Sequence, residues 1–239
     1  AAPSAADTAA IMSQMEGLKS DFANATDADA FVAANSSAPS KSIYAGKSAM
    51  QMEMKDSIQK IPVNAVLGPY IDGESVALSK MLDIKQLPDS VKCRHVLVSA
   101  NAEQGGLPDS IAKLKIDSIK NAINAGASWD EMVQRYNPTS DASRQNKGEM
   151  TFTSAQIQDE NFAPEFAQFI LFEGKPGERK VVKTSFGYHF IEIMDFINVE
   201  PHYKVAHVIK PILASSETDQ QASSEASRFA ANSRDEASF

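Results

Sequence analysis

Two runs of alternating side chains, Cys93-Arg94-His95-Val96-Leu97-Val98 and Tyr188-His189-Phe190-Ile191-Glu192-Ile193, constrain the fold of this chain more than any other feature. Each has the period-2 pattern and the β-branched or aromatic content of a strand. What lies between them supplies the rest of a small domain. A helix is expected from about Ser110 to Asn124, stopped by Gly126, and a shorter one from Ser128, whose hydroxyl can cap it with Glu131 three residues on. The polar stretch 137–147 reads as a loop, Glu149-Met150-Thr151-Phe152 as another strand, and Pro164 to Phe172 as a further helix. Val181-Val182-Lys183-Thr184 then makes a hairpin with the last run about the turn Ser185-Phe186-Gly187. The order strand, two helices, strand, helix, two strands predicts an α+β domain with helices laid on a four-stranded, largely antiparallel sheet.

Residues 1–90 carry a different pattern. Ile11, Met15, Leu18 and Phe22 recur at helical spacing, as do Met50, Met54 and Ile58 after the breaker cluster at 34–40. Alternation on either side of Tyr70-Ile71-Asp72-Gly73-Glu74 predicts a β-hairpin over about 63–82. Further on, residues 203–209 repeat the pattern of 91–97, Ala222, Ala226 and Ala230 follow at helical spacing, and Ser233-Arg234-Asp235-Glu236 echoes Ser128-Trp129-Asp130-Glu131. The expected organisation is a helical region with a hairpin over 1–90, a complete module over 91–197, and the start of a second, truncated copy over 203–239. Without a core of its own, that copy is expected to leave residues 214–239 mobile or packed non-natively.

With 23 basic against 31 acidic residues, the net charge is −8 and the pI about 5.1, which gives no electrostatic grip on a phosphate backbone and argues against a nucleic-acid partner. The single cysteine, Cys93, excludes an internal disulfide framework and any multi-cysteine metal site. Two residues before His95 on one strand, it suits a small buried filler better than a nucleophile. The N-terminal Ala-Ala-Pro-Ser-Ala-Ala-Asp lacks the regions of a signal peptide, and no run of about eighteen apolar residues occurs, so a membrane anchor would have to lie outside this chain.

Taken in order, Arg94-His95-Val96-Leu97-Val98, Trp129-Asp130-Glu131-Met132 with Tyr136, Asp141, Gly148-Glu149-Met150 and Phe186-Gly187-Tyr188-His189-Phe190-Ile191 resemble the parvulin family of peptidyl-prolyl cis/trans isomerases, over roughly residues 92–197. With a helical region before it and a partial second copy after it, the chain is similar to periplasmic foldase chaperones of the SurA and PpiD type. The resemblance implies a parvulin-like sheet, rotamase activity on unfolded or proline-containing polypeptide clients, a periplasmic or cell-envelope location, and neither a small-molecule cofactor nor a metal. It assigns His95 and His189 to a hydrogen-bonded pair on the central strands and Asp141 to the acidic position facing the substrate amide. Met150, Ile157 and Phe166 fall to the proline socket, with Phe152 and Thr184 beside them. The segment from Gln156 to Phe166 is longer than usual in the family, so Phe162 or Phe166 fills the aromatic position, Phe166 being preferred for its place in Pro164-Glu165-Phe166. The family's Gly-Gly-Asp-Leu-Gly-Trp-Phe stretch appears in shortened form, as Lys147-Gly148-Glu149-Met150-Thr151-Phe152.

These residue types suit the chemistry. Rotation about an X-Pro bond faces a barrier of about 18–20 kcal/mol, and no bond is broken, so a catalyst needs an apolar seat for the ring and a dry surrounding that favours the twisted amide. Met, Ile and Phe are equally the residues of ordinary cores, interior histidines are commonly structural, and an Asp in Ser140-Asp141-Ala142-Ser143 commonly caps a turn. Residues 99–107 contain no Lys or Arg to pair a phosphate, so unphosphorylated clients are expected. Two other readings use the same residues: a parvulin-like chaperone module that binds unfolded polypeptide with little or no catalysis, and a metal site formed by His95, Asp141 and His189.

Overall fold

The two alternating runs belong to strands of 25 residues each, far longer than their local patterns show. The computed structural model describes residues 1–100 and 105–232. In chain order it comprises helices α1 (Ala5–Asn24) and α2 (Ala28–Asn35), the short strand β1 (Tyr44–Gly46), one helical turn α3 (Lys55–Ile58), and strands β2 (Val66–Asp72) and β3 (Ser75–Ser99). Helices α4 (Asp109–Asn124) and α5 (Trp129–Tyr136) follow, then strand β4 (Glu149–Thr153), the short helices α6 (Ser154–Ile157) and α7 (Pro164–Ala167), strands β5 (Arg179–Thr184) and β6 (Gly187–Pro211), and helix α8 (Ser216–Asn232). The described residues divide into two compact units, and β3 and β6 contribute to both.

One unit, Ile43–Gly46 with Lys85–His202, contains the expected four-stranded α+β domain. β4 pairs antiparallel with β3 from Ser90↔Thr153 to Arg94↔Glu149, and β5 pairs antiparallel with β6 from Arg179↔Glu192 to Thr184↔Gly187. β3 and β6 are neighbours, which gives the order β4-β3-β6-β5. Alternation along the strands divides the apolar side chains between two cores. Val96, Val98, Tyr188 and Phe190 pack under α4 and α5, where Trp129 stacks on Phe190 at 5.4 Å. Val91, Cys93, Ile191 and Ile193 face the other way, against Ile157, Phe166 and the π-helical turn Gln168–Glu173 that continues α7. His95 and His189 share the parity of this second set. The helix boundaries follow local chemistry: Ser128 accepts the Glu131 N–H at 3.4 Å, and Gly126 takes φ +104° just past α4.

The other unit, Ala1–Ser42 and Lys47–Ile84 with the chain from Tyr203 on, departs from the expected boundaries. The hairpin is present, with β2 and β3 antiparallel from Val66↔Lys80 to Asp72↔Ser75. Residues 203–211, however, extend β6 instead of standing as the unfinished start of a second module. Ala206 and Val208 complete a core with Met15, Phe22, Val32, Val76 and Leu78, because the apolar faces of α1 and α2 need more sheet than the hairpin alone offers. Part of the 214–239 segment is anchored too: Ser215 N–H and Thr218 Oγ1 donate to the Asp7 carboxylate at 3.2 and 2.7 Å. The echo at 233–236 lies outside the described residues. The stripe Met50, Met54, Ile58 does not form one helix: only Ile58 lies within the single turn α3, with Met54 at its N-cap and Met50 outside it. Buried Lys80 donates to the carbonyls of Phe22, Ala23 and Ala25 at 3.1, 2.9 and 2.8 Å, and so places a cation on the carbonyl end of α1.

Gly148 joins the loop to β4 at φ +79°, and a Cβ there would sit 2.4 Å from the His95 carbonyl oxygen. Gly148→Ala is expected to cost roughly 2–4 kcal/mol, combining left-handed backbone strain with the clash. Urea unfolding followed by the fluorescence of Trp129, the single tryptophan, measures it.

Candidate active site

Because β3 and β6 are neighbours, His95 and His189 meet with Nδ1 atoms 3.0 Å apart and rings nearly parallel. The surrounding groups fix which ring nitrogen holds each proton. The Phe186 N–H donates to Thr184 Oγ1 at 3.1 Å, and Thr184 Oγ1 lies 2.8 Å from His189 Nε2. At the other end, His95 Nε2 lies 3.1 Å from Asp141 Oδ2 and 3.0 Å from Ser143 Oγ. Ser143 commits its hydroxyl proton to Asp141 Oδ1 at 2.7 Å, so its oxygen accepts from His95. An ionised Asp141 needs a proton on His95 Nε2. With its proton on Nε2, His95 accepts at Nδ1 from His189 Nδ1–H, and His189 Nε2 accepts from the Thr184 hydroxyl. One polarity therefore runs from the Phe186 amide through Thr184, His189 and His95 to the carboxylate.

The electrostatics fit this order. Burial pushes the Asp141 carboxyl upward, but hydrogen bonds from His95 and Ser143 outweigh it and hold the group well below the usual carboxylate range. Burial, followed by the neighbouring His95, lowers His189 from its ordinary 6.5 to about 3 against a smaller upward pull from Asp141. His189 is thus a neutral imidazole at physiological pH. Burial raises Cys93 to about 12, which leaves it a thiol and no nucleophile. Among the described residues no group of three His, Cys, Asp or Glu side chains is arranged to hold a metal.

The expected apolar residues separate into two layers. Phe166 sets its ring edge against both histidines, at centroid distances of 5.9 and 5.4 Å, and is buried; Ile157 is 1% exposed. Thr184 is also buried and serves His189. These three are buried, Phe166 and Thr184 in contact with the histidines and Ile157 in the core with Phe166. Met150 and Phe152 are half-buried, and Phe162 joins them, edge-on to Phe152 at 5.1 Å and to Phe166 at 5.9 Å. Of the two aromatic candidates, Phe166 is buried against the histidines and Phe162 is half-buried against Phe152 and Phe166. A cavity of about 460 Å³ opens on the histidines, lined by Leu97, Ser99, Pro138, Ser140, Asp141 and Phe186 as well. Phe186 is 60% exposed at this cavity. Asn137 and Ser143 carry no functional mark in the sequence, where only the Asp-x-Ser spacing of Asp141 and Ser143 hints at a mutual hydrogen bond; Phe186 stands in the motif that ends at Ile191 but is not among the site residues that the sequence singles out. Residues 101–104 of the loop without Lys or Arg lie outside the described residues.

Residues 76–196 match the PPIC-type PPIASE domain. The chain belongs to that family. Among relatives of this PPIC-type domain, the chaperone SurA of Colwellia psychrerythraea is 27% identical over 141 residues, which cover 56% of this chain and 30% of SurA. The foldase protein PrsA of Staphylococcus aureus is 31% identical over 116 residues, 47% of this chain and 35% of PrsA. The PPIC-type chain thus spans about a third of the length of the curated relatives it matches. A crystal structure of the peptidylprolyl isomerase PrsA from Bacillus anthracis overlaps 48% of this chain and 44% of its own at 23% identity and a TM-score of 0.35, too partial a likeness to carry an argument.

The lowered His189 has a consequence for stability. Between pH 6.5 and about 3 the folded chain binds fewer protons at this residue than the unfolded chain does. Its contribution is complete above the upper value and is lost as the pH falls, with a slope approaching about 1.4 kcal/mol per pH unit. Asp141, whose carboxyl is also lowered, adds its loss only at more acid pH. His207, lowered by burial to about 4, titrates over the same range, so urea midpoints read on Trp129 are expected to be flat near neutrality and to decline below pH 6.5, with His189→Gln removing roughly half of that first decline.

Proposed function

We propose that this chain is a peptidyl-prolyl cis/trans isomerase that assists the folding of unfolded, exported polypeptides outside the cytoplasm. The observation that carries this reading is the ordered hydrogen-bond chain ending on an ionised Asp141 at a cavity wall, its two histidines edge-on to Phe166, which in turn meets Phe162 and, through it, Phe152. The proline ring is taken to rest on Met150, Phe152 and Phe162, with Phe166 and Ile157 holding that surface in place. The amide before it then turns near Asp141. A fixed negative charge there disfavours the planar carbonyl, whose oxygen carries the most negative charge, relative to the twisted amide, in which resonance is lost. The histidines hold Asp141 in position and exchange no proton with the substrate, as a rotation about a bond requires none. The resemblance to proteins named chaperone SurA and foldase PrsA supports folding clients and an extracytoplasmic setting, and no described helix is long and apolar enough to cross a membrane.

Phosphate before the proline is not needed in this reading. The lining residues of the cavity include no Lys or Arg, and Asp141 would repel the added charge. A protease-coupled assay on the full chain is expected to show acceleration with Ala-Pro peptides and no gain with phosphoserine-Pro. Asp141→Ala should lower kcat/KM roughly ten- to hundredfold. A parent rate no faster than the uncatalysed reaction would refute the proposal.

A second reading, a binding module with little catalysis, is favoured by the burial of Ile157 and Phe166 at 1% and 5% exposure, which leaves a shallow apolar surface instead of a deep socket. It requires suppression of client aggregation together with a background isomerisation rate.

A further inference from the structure

Resting on the isomerase reading, we infer that Asn137 is a positioning residue for the reaction, whose side-chain amide locks the Asp141 carboxylate to the backbone of the strand that bears His95. Asn137 ends α5, its own N–H bonding back to the Val133 carbonyl at 3.0 Å, and only 4% of it is exposed. Its Oδ1 accepts the buried Leu97 N–H at 2.9 Å, and its Nδ2 donates to Asp141 Oδ2 at 3.0 Å. The Leu97 amide can only donate and the ionised carboxylate can only accept, so the orientation of the amide is fixed by its two partners.

This arrangement solves a local problem of the fold. β4 pairs with β3 only as far as Arg94, and the His95 N–H is taken by the Gly148 carbonyl at 3.0 Å. Leu97, the next residue of β3 with the same parity as His95, therefore meets a side chain where a strand partner is lacking. The same amide reaches Oδ2, the oxygen that His95 Nε2 also approaches, while Ser143 N–H and Oγ hold Oδ1 at 2.9 and 2.7 Å. Ser143 grips one carboxylate oxygen from within the loop; Asn137 ties the other to the strand. Ser143 also meets His95 Nε2 directly, and the Asn137 tie is the one that runs from the carboxylate to the Leu97 amide of the strand.

Asn137→Asp separates this role from a purely structural one. The substitution is isosteric and keeps an oxygen for the Leu97 N–H, but it replaces the donor facing Asp141 with a like charge. In the full chain with ¹³C-labelled aspartate carboxyls, the Asp141 titration is expected to move upward by roughly one pH unit or more. The acid limb of kcat/KM should move with it, and kcat should fall at least about fivefold with KM within twofold. Asn137→Ala, which adds no charge, should shift the titration in the same direction by less. If Asn137→Asp does not fold, as judged by Trp129 fluorescence, the Ala variant decides. An Asp141 titration that stays at the parent position in the folded variant overturns the inference, whatever the activity. A parent without isomerase activity would defeat the function proposed above, while the carboxyl titration would still decide the role of Asn137.

Discussion

A single mostly buried carboxylate sets the direction of the hydrogen bonds around it. Asp141 is 13% exposed and receives Ser143 N–H and Oγ, Asn137 Nδ2 and His95 Nε2. An ionised group that can only accept leaves its neighbours no choice of proton placement. The tautomer of His95 follows, then that of His189, then the orientation of the Thr184 hydroxyl and its hold on the Phe186 amide. The turn at the edge of the cavity and the loop on its far side are in this way parts of one network. A change at either end reaches the other through side chains that have one satisfactory arrangement.

The network needs its two imidazoles side by side, and that depends on the sheet. β3 and β6 are neighbours, and a period-2 alternation along both directs His95 and His189 to the face where Phe166 packs. Close backbone approach is part of the same geometry. Gly148 and Gly187 both take positive φ, at +79° and +136°, and a Cβ on either would lie within 2.4 Å of a β3 carbonyl, that of His95 or Val98. These glycines let the loop before β4 and the turn before β6 press directly against the strand that carries His95.

The same two strands serve a second core. Residues 203–209 repeat the pattern of 91–97 because both are sheet-forming stretches with one covered face, and that likeness invites the idea of a second module. The packing uses 203–211 differently, because Ala206 and Val208 join residues of α1, α2 and the hairpin. A local pattern reports that a strand needs a covered face, while the identity of the cover depends on chain segments far away in sequence.

The helix starts at Ser128 and Pro164, the stop at Gly126, the hairpin about Asp72-Gly73 and the alternation through His95 and His189 were legible in the sequence, because caps, turns and periodicity are properties of a few neighbouring residues. The family resemblance singled out His95, His189 and Asp141, and the structure brings them together within hydrogen-bond distance. Which apolar residues face outward was not legible, since Ile157, Phe166, Met150, Phe152 and Phe162 look alike as a string and differ only in how deep the packing sets them. Asn137 and Ser143 were hidden for a related reason: a polar residue in a polar loop carries no mark until the fold brings a buried amide or an imidazole within reach. Local chemistry determined the elements of this protein, and the meeting of distant segments decided which side chains gather around one charge.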